Sequence, residues 1–243
     1  NHVGKTSVVD AKAATCTKKG YTGDTVCDSC KAVLKKGTET ALKAHTLKTA
    51  VTKATTAKDG KITKTCTACK KIISTTTIYK ASKVTLSTTK YTYNGKVKAP
   101  IVTVKTSKGK TLKKNTDYTV SYAKGRKYVG KYSVKITFKG NYSGSKTLYF
   151  TINPKGTKLK SVTARKKGFK AKWSAQKSQT SGYQIQYSTY KKFKSAKTVT
   201  VSGNKNTSKT VKKLKAGKKY YVRVRTYKTV GKTKFYSSWS GYK

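Results

Sequence analysis

Across 243 residues the chain sets 58 Lys plus Arg against six Asp plus Glu, a formal net charge of +52. A potential of that size attracts polyanions with strong salt dependence. The few carboxylates (Asp10, Asp24, Asp28, Glu39, Asp59 and Asp117) exclude sustained Glu–Lys helix pairing and leave little for acid-based chemistry. No apolar run approaches the ~20 residues of a membrane span, so no membrane insertion is expected. The chain opens on Asn1 without a signal segment and reads as a processed or excised piece of something longer.

Residues 1 to about 82 hold an imperfect internal repeat. ATCTKKGYTGDTVCDSCK (Ala14–Lys31) matches ATTAKDGKITKTCTACK (Ala54–Lys70), aligning Gly20 with Gly60 and the CxxC at Cys27/Cys30 with that at Cys66/Cys69. Beyond these, LKAH (Leu42–His45) aligns with YKAS (Tyr79–Ser82), and His2 stands as the closing residue of a preceding copy. The second copy carries Thr56 and Ser82 where the first carries Cys16 and His45. The two are lost together, which implies that they work together.

Three readings of the cysteines stand. One is a structural zinc site within the first copy, with Cys16, Cys27, Cys30 and His45 as ligands, stapling a segment too short to bury a core. Another pools both CxxC pairs at one ion, although the stretch between them exceeds the usual ribbon spacing. The third is disulfides, including one between Cys66 and Cys69, as an extracellular protein would favour. Asp28 and Ser29 inside the first CxxC, with no βαβ pattern around it, do not fit a redox active site, and a cysteine nucleophile would lack an orienting group beside His45.

From residue 83 the cysteines stop and alternating strands begin. Val84–Leu86, Tyr91–Tyr93, Ile101–Val104, Tyr118–Tyr122, Tyr132–Phe138 and Leu148–Ile152 are separated by short turns containing Gly95, Gly125, Gly130, Gly140 and Gly144. This spacing is that of a small β-sandwich ending at Pro154. NTDYTVSY (Asn115–Tyr122), GKYSVKITFKGNYSG (Gly130–Gly144) and LYFTIN (Leu148–Asn153) resemble bacterial Ig-like repeats of secreted and surface proteins. The resemblance implies a stalk, a spacer or a ligand binder. Asp117 reads as a turn cap.

A second sandwich follows over 155–243. Phe169, Ala171 and Trp173 alternate with lysines, Tyr183, Ile185 and Tyr187 alternate with glutamines, and LKAGKKYYVRVRTYK (Leu214–Lys228) leads from a turn into a strict alternation. There Tyr220, Val222, Val224 and Thr226 face one way and Tyr221, Arg223, Arg225 and Tyr227 the other. A Trp on an early strand, then YxIxY, then L-x5-Y before VRV, resembles a fibronectin type III domain, and the resemblance gives Tyr220 the role of the tyrosine-corner residue. The N-terminal repeats are similar to a type found beside such domains in secreted proteins of Gram-positive anaerobic bacteria.

The fold class is therefore all-β: small cysteine-rich repeats (1–82), an Ig-like sandwich (83–154) and a fibronectin type III-like sandwich (155–243). No helix pattern supports a phosphate loop, and the expected role is non-catalytic. The expectation is an extracellular adhesion or spacer module whose basic surface holds anionic glycans or cell-wall polymers, with Tyr221, Arg223, Arg225 and Tyr227 as candidate contacts. Its alternative is a secreted effector engaging a host receptor protein through the last domain. Nucleic acid is expected to bind only non-specifically.

Overall fold

The computed structural model describes residues 4–243, so His2 lies outside the described residues. Every regular element among them is a strand. The chain divides into two compact units. The first comprises the residues up to Ala81 with Gly140–Ser143, and the second comprises Ser82–Lys139 and Gly144–Lys243.

The first unit contains two small three-stranded antiparallel sheets built alike. In one, β3 (Asp24–Cys27) lies between β1 (Thr6–Val9) and β4 (Val33–Lys35); in the other, β7 (Gly60–Cys66) lies between β6 (Leu47–Thr52) and β8 (Ile72–Ile78). β2 (Gly20–Tyr21), which precedes β3, pairs with β5 (Glu39–Thr40), which follows β4. Gly20 and Gly60 hold equivalent places. A Cβ on Gly20 would meet the Ala14 nitrogen at 2.5 Å, and one on Gly60 the Ala54 nitrogen at 2.5 Å. No side chain fits against backbone that close, which explains why the repeat keeps glycine there.

These sheets bury little. β1, β4 and β6 are exposed along their whole length, and β8 is exposed except at Ile78. Between Thr6 and Ala81 the buried apolar residues are Val26, Cys27, Ala54, Cys66, Ile78 and Ala81. A core of that size falls short of what ordering the chain costs, so further cross-links are needed to hold the unit together.

In the second unit, β9 (Lys83–Leu86) pairs with β11 (Val102–Lys105). Facing strands β10 (Lys90–Thr92), β12 (Tyr118–Tyr122), β13 (Gly130–Phe138) and β14 (Ser145–Asn153) run in the order β10-β14-β13-β12. All neighbours are antiparallel except β10 and β14. The alternation read from sequence is the burial pattern: Val104, Val134, Ile136, Phe150 and Ile152 are at most 1% exposed. Tyr118 and Tyr122 donate their hydroxyls to the carbonyls of Val102 and Pro100. Asp117 accepts from the Lys113 amide at 2.8 Å, the turn cap expected of it.

The remaining strands form a second sandwich. One sheet is β15 (Leu159–Arg165), β16 (Gly168–Trp173) and β19 (Ser208–Val211); the other is β18 (Lys197–Ser202), β17 (Gly182–Ser188), β20 (Tyr221–Val230) and β21 (Thr233–Tyr236). Phe169, Ala171, Trp173, Tyr183, Ile185, Val222 and Val224 fill the space between them, giving the alternating inner faces of an aligned sandwich. Tyr220 packs edge-on against Tyr187 at 6.2 Å. The tyrosine hydroxyl that ties backbone together in this core is not the Tyr220 one expected from resemblance but that of Tyr183, which accepts from the Gln176 amide and donates to the Asn204 carbonyl.

Candidate functional site

The cysteines are organised by strand pairing. β6 starts two residues after His45 and pairs with β7 so that Leu47 faces Cys66. The closing residue of the first repeat is thereby delivered to the CxxC of the second. Cys16 is held by a turn in which the Thr15 hydroxyl accepts from the Lys18 amide at 2.9 Å and the Thr17 amide at 3.2 Å. Cys66 ends β7, and the turn after it places Lys70 at φ 60° with its amide on the Cys66 carbonyl.

The residues brought together therefore differ from the set expected. Cys16 and His45 do come together, but with Cys66 and Cys69 rather than with Cys27 and Cys30, and the ligand atoms of these four residues all lie within 4.8 Å of one another. Cys66 and Cys69 are free thiols rather than a disulfide. The Cys16 and Cys66 sulfurs are 3.7 Å apart, and the Cys69 sulfur is 3.7 Å from His45 Nδ1. A disulfide needs about 2.05 Å. A tetrahedron with Zn–S bonds of ~2.3 Å has edges of about 3.8 Å, and those to an imidazole nitrogen are slightly shorter. The donors fit such an ion in type, number and spacing.

Electrostatics at the cluster are uneven. The Cys69 amide, with His45 next, pulls the buried Cys66 thiol down to about 6, whereas desolvation and then hydrogen bonds to Cys69 and Cys66 push Cys16 up to about 11. Three thiolates drawn this close repel one another unless a cation sits among them.

Asp24 is the buried carboxylate of the first repeat, 8% exposed. It accepts from the Gly37 amide at 2.9 Å, from the Tyr21 hydroxyl, and from Lys36 at 3.1 Å. These contacts, the Gly37 amide first, hold its carboxyl down at about 2. Because the folded value lies below the unfolded one of about 3.9, the stabilisation is present above that pH and is lost as pH falls toward 2. Asp24→Asn is expected to remove this acid limb from the unfolding of the first repeat and to lower its stability at neutral pH. Exchange protection of the Gly37 amide, followed from pH 5 to pH 2 in both proteins, checks it.

In the second unit, the face carrying Tyr221, Arg223, Arg225 and Tyr227 is not an open patch. Arg223 is stacked between Phe193 (3.9 Å to the ring centroid) and Trp239 (4.9 Å), and Arg225 between Trp239 (4.3 Å) and Tyr236 (4.0 Å). The result is a ladder in the order Phe193, Arg223, Trp239, Arg225, Tyr236. Gln186 Oε1 accepts from Arg223 Nε at 2.7 Å, and Gln184 Oε1 accepts from Arg225 Nε and its terminal nitrogen at 3.0 and 2.7 Å. Tyr221 meets Tyr242 edge-on at 5.6 Å. Tyr227 is 4% exposed and, as a contact residue, is corrected to a packing one. It covers Gly182, where an added Cβ would stand 2.8 Å from the Tyr227 hydroxyl. Two guanidinium planes covered by rings serve first to pin the returning C-terminal segment to the sheet.

Two lysine-rich features are more open. Lys197, Lys213 and Lys215, with Tyr187 and Tyr220, line a cleft of about 330 Å³ at one end of this sandwich. Lys131 lies over the exposed ring of Tyr149 at 4.5 Å.

Among solved structures, the chain is similar to the FN1–FN3 domains of chicken CNTN1 at 14% identity, over 99% of this chain and 96% of that one, with a TM-score of 0.34. It is also similar to domains A168–A170 of titin at 13% identity, over 98% and 97%, with a TM-score of 0.26. No curated protein matches the chain. Residues 153–240, the stretch that holds β15–β21 and the arginine ladder, match the fibronectin type III domain family.

Proposed function

We propose that this protein is a non-catalytic extracellular adhesion or spacer module whose lysine-rich surface holds anionic polymers, either cell-wall polymers or host glycans. It is read as a bacterial surface or secreted protein with three modules, 1–82, 83–154 and 155–243. The fibronectin type III match supports an adhesion or spacer role. The observation that carries the polyanion reading is the unneutralised charge. Against a formal +52, the described residues form two side-chain ion pairs, Lys19–Glu39 and Lys36–Asp24.

Attraction is diffuse because lysine is a point charge without a planar fork. The arginines that could grip an anion bidentately are largely occupied: Arg223 and Arg225 are in the ladder, and Arg126 lies over the Tyr122 ring at 5.2 Å. The strongest local field is expected at the Lys197–Lys213–Lys215 cleft. In the first unit a structural zinc ion takes Cys16, His45, Cys66 and Cys69 as ligands, which the small apolar core supports.

Retention on heparin across a salt series tests the polyanion role. Affinity is expected to fall linearly on a double-logarithmic plot, and Lys197, Lys213 and Lys215 changed together to Gln should shorten retention more than Lys48, Lys61 and Lys64 of β6 and β7 changed in the same way. Absence of retention even at low ionic strength would sink the reading. Binding to a host protein that persists at high salt would replace it with the receptor role.

A further inference from the structure

We propose that the cleft between Lys197, Lys213 and Lys215 is a saturable site for one acidic sugar residue, with the carboxylate or sulfate among the three ammonium groups and the sugar hydroxyls on Tyr187 and Tyr220. The assignment rests on the polyanion reading and gives it one defined address on an otherwise diffuse surface.

Three segments distant in sequence converge at the cleft. Tyr187 and Ser188 end β17, Lys197 opens β18, and Lys213, Lys215 and Tyr220 lie on the chain between β19 and β20. Hydrogen bonds hold both rims. The buried Ser188 hydroxyl donates to the Lys194 carbonyl at 2.6 Å and accepts from the Tyr190 amide at 3.0 Å. Across from it, Lys213 turns the chain at φ 62°, and the Leu214 amide donates to the Lys167 carbonyl at 2.9 Å. The cleft is thus preformed. Its volume of about 330 Å³ lies at the lower end of the roughly 300–1,000 Å³ of small-ligand sites.

Two observations set it apart from a group of surface lysines. The first is Tyr187, which is 8% exposed although its hydroxyl has no hydrogen-bond partner among the described residues. A phenol set so deep is ordinarily paired. The sealed and unpaired side-chain atoms among the described residues belong to Thr106, Arg126 and Trp173. The Tyr187 oxygen therefore reaches open space, and the space its residue lines is the cleft. Tyr220 lines it too, edge-on to Tyr187 at 6.2 Å, and makes no backbone bond of the tyrosine-corner type. Burial, and then Tyr220 beside it, push the Tyr187 phenol above its ordinary value, so it stays a neutral donor at physiological pH. The second observation is charge. The last carboxylate side chain in the sequence is Asp117, so no Asp or Glu of this sandwich can pair with the three lysines. Cations gathered around a concave wall repel one another unless an anion stands among them. Ammonium and phenol donors together match a ring that carries hydroxyls and one acidic group, whereas a bare inorganic anion would use the lysines alone.

Amide spectra of the full chain, recorded at physiological salt during titration with glucuronate, N-acetylglucosamine 6-sulfate, glucose or inorganic sulfate, test the site. Saturable shifts centred on residues 187–197 and 213–220 are expected with at least one of the two acidic sugars and not with glucose at the same concentration. Whichever acidic sugar responds identifies the charged group as carboxylate or sulfate. Tyr187→Phe should weaken that binding roughly tenfold without lowering the melting temperature, because the hydroxyl it removes bonds to no protein group. Heparin retention with no saturable shift from either acidic sugar would overturn the site and leave the polyanion reading standing; loss of both would overturn both. Equal shifts with inorganic sulfate, or unchanged affinity in Tyr187→Phe, would reduce the cleft to a cluster of cations and overturn the sugar site.

Discussion

Chelation of a reduced, zinc-loaded preparation should unfold the residues up to Ala81 and leave both sandwiches standing. The expected readout is loss of amide exchange protection across β6, β7 and β8, with β13, β17 and β20 unchanged. The reasoning is energetic. The sandwiches are filled by Trp173, Tyr183, Phe150, Ile136 and other side chains that are fully buried, each worth about 1.5–3 kcal/mol by burial. The first unit has strands exposed from end to end and six buried apolar residues between Thr6 and Ala81, two of them alanine and two cysteine. Structural zinc contributes on the order of 10–16 kcal/mol in small domains that cannot fold without it, far more than this core supplies.

The same unit would be held differently by disulfides, and the experiment separates the two. A zinc-stapled unit melts with chelator and is indifferent to reductant; a disulfide-stapled one does the reverse. Cys16→Ser and His45→Ala should each mimic chelation in part, since each removes one corner of the tetrahedron. Retained protection in β6–β8 after chelation, with no ion bound, would refute the staple.

Much of this architecture is legible in the chain because it depends on neighbours in sequence. Strict alternation at 221–227 assigns Val222 and Val224 to the core, and the paired glycines and CxxC motifs disclose two copies of one sheet. What periodicity cannot show is which distant segment returns to cover a face. Arg223 and Arg225 point outward from β20 as expected, but Phe193 comes from the loop after β17, and Tyr236 and Trp239 from the chain beyond it. The cysteine–histidine cluster groups differently from the expected set for a related reason. A repeat drawn from Ala14 to His45 looks self-contained, yet β6, which follows His45, pairs with the strand ending at Cys66 and so belongs to the next sheet. The joint absence of Cys16 and His45 equivalents from the last copy was the signal for this crossing, since a self-contained site has no reason to vanish where the array stops.

Trp239→Ala should destabilise the sandwich built of β15–β21 by about 3 kcal/mol while leaving heparin retention within the wild-type range. Trp239 is the shared rung of the ladder, lying between two guanidinium groups at 4.9 and 4.3 Å. Its loss removes two desolvated cation–π contacts, each worth roughly 0.5–2 kcal/mol, together with the packing of a large half-buried ring. The segment beyond it is then held mainly by backbone bonds from Ser240 and Lys243 to Val224 and Val222, so exchange at those amides should rise first. Arg223 and Arg225 keep their charge and gain exposure, so a ligand site in which the rings merely cover these arginines would bind no worse once the rings are gone. If the rings and guanidinium groups together form the glycan contact, retention must fall with stability. Melts and heparin elution measured on the same variant therefore assign the ladder. Lost stability with unchanged elution makes it a clasp for the C-terminal segment, and lost elution with an unchanged melt makes it the binding face.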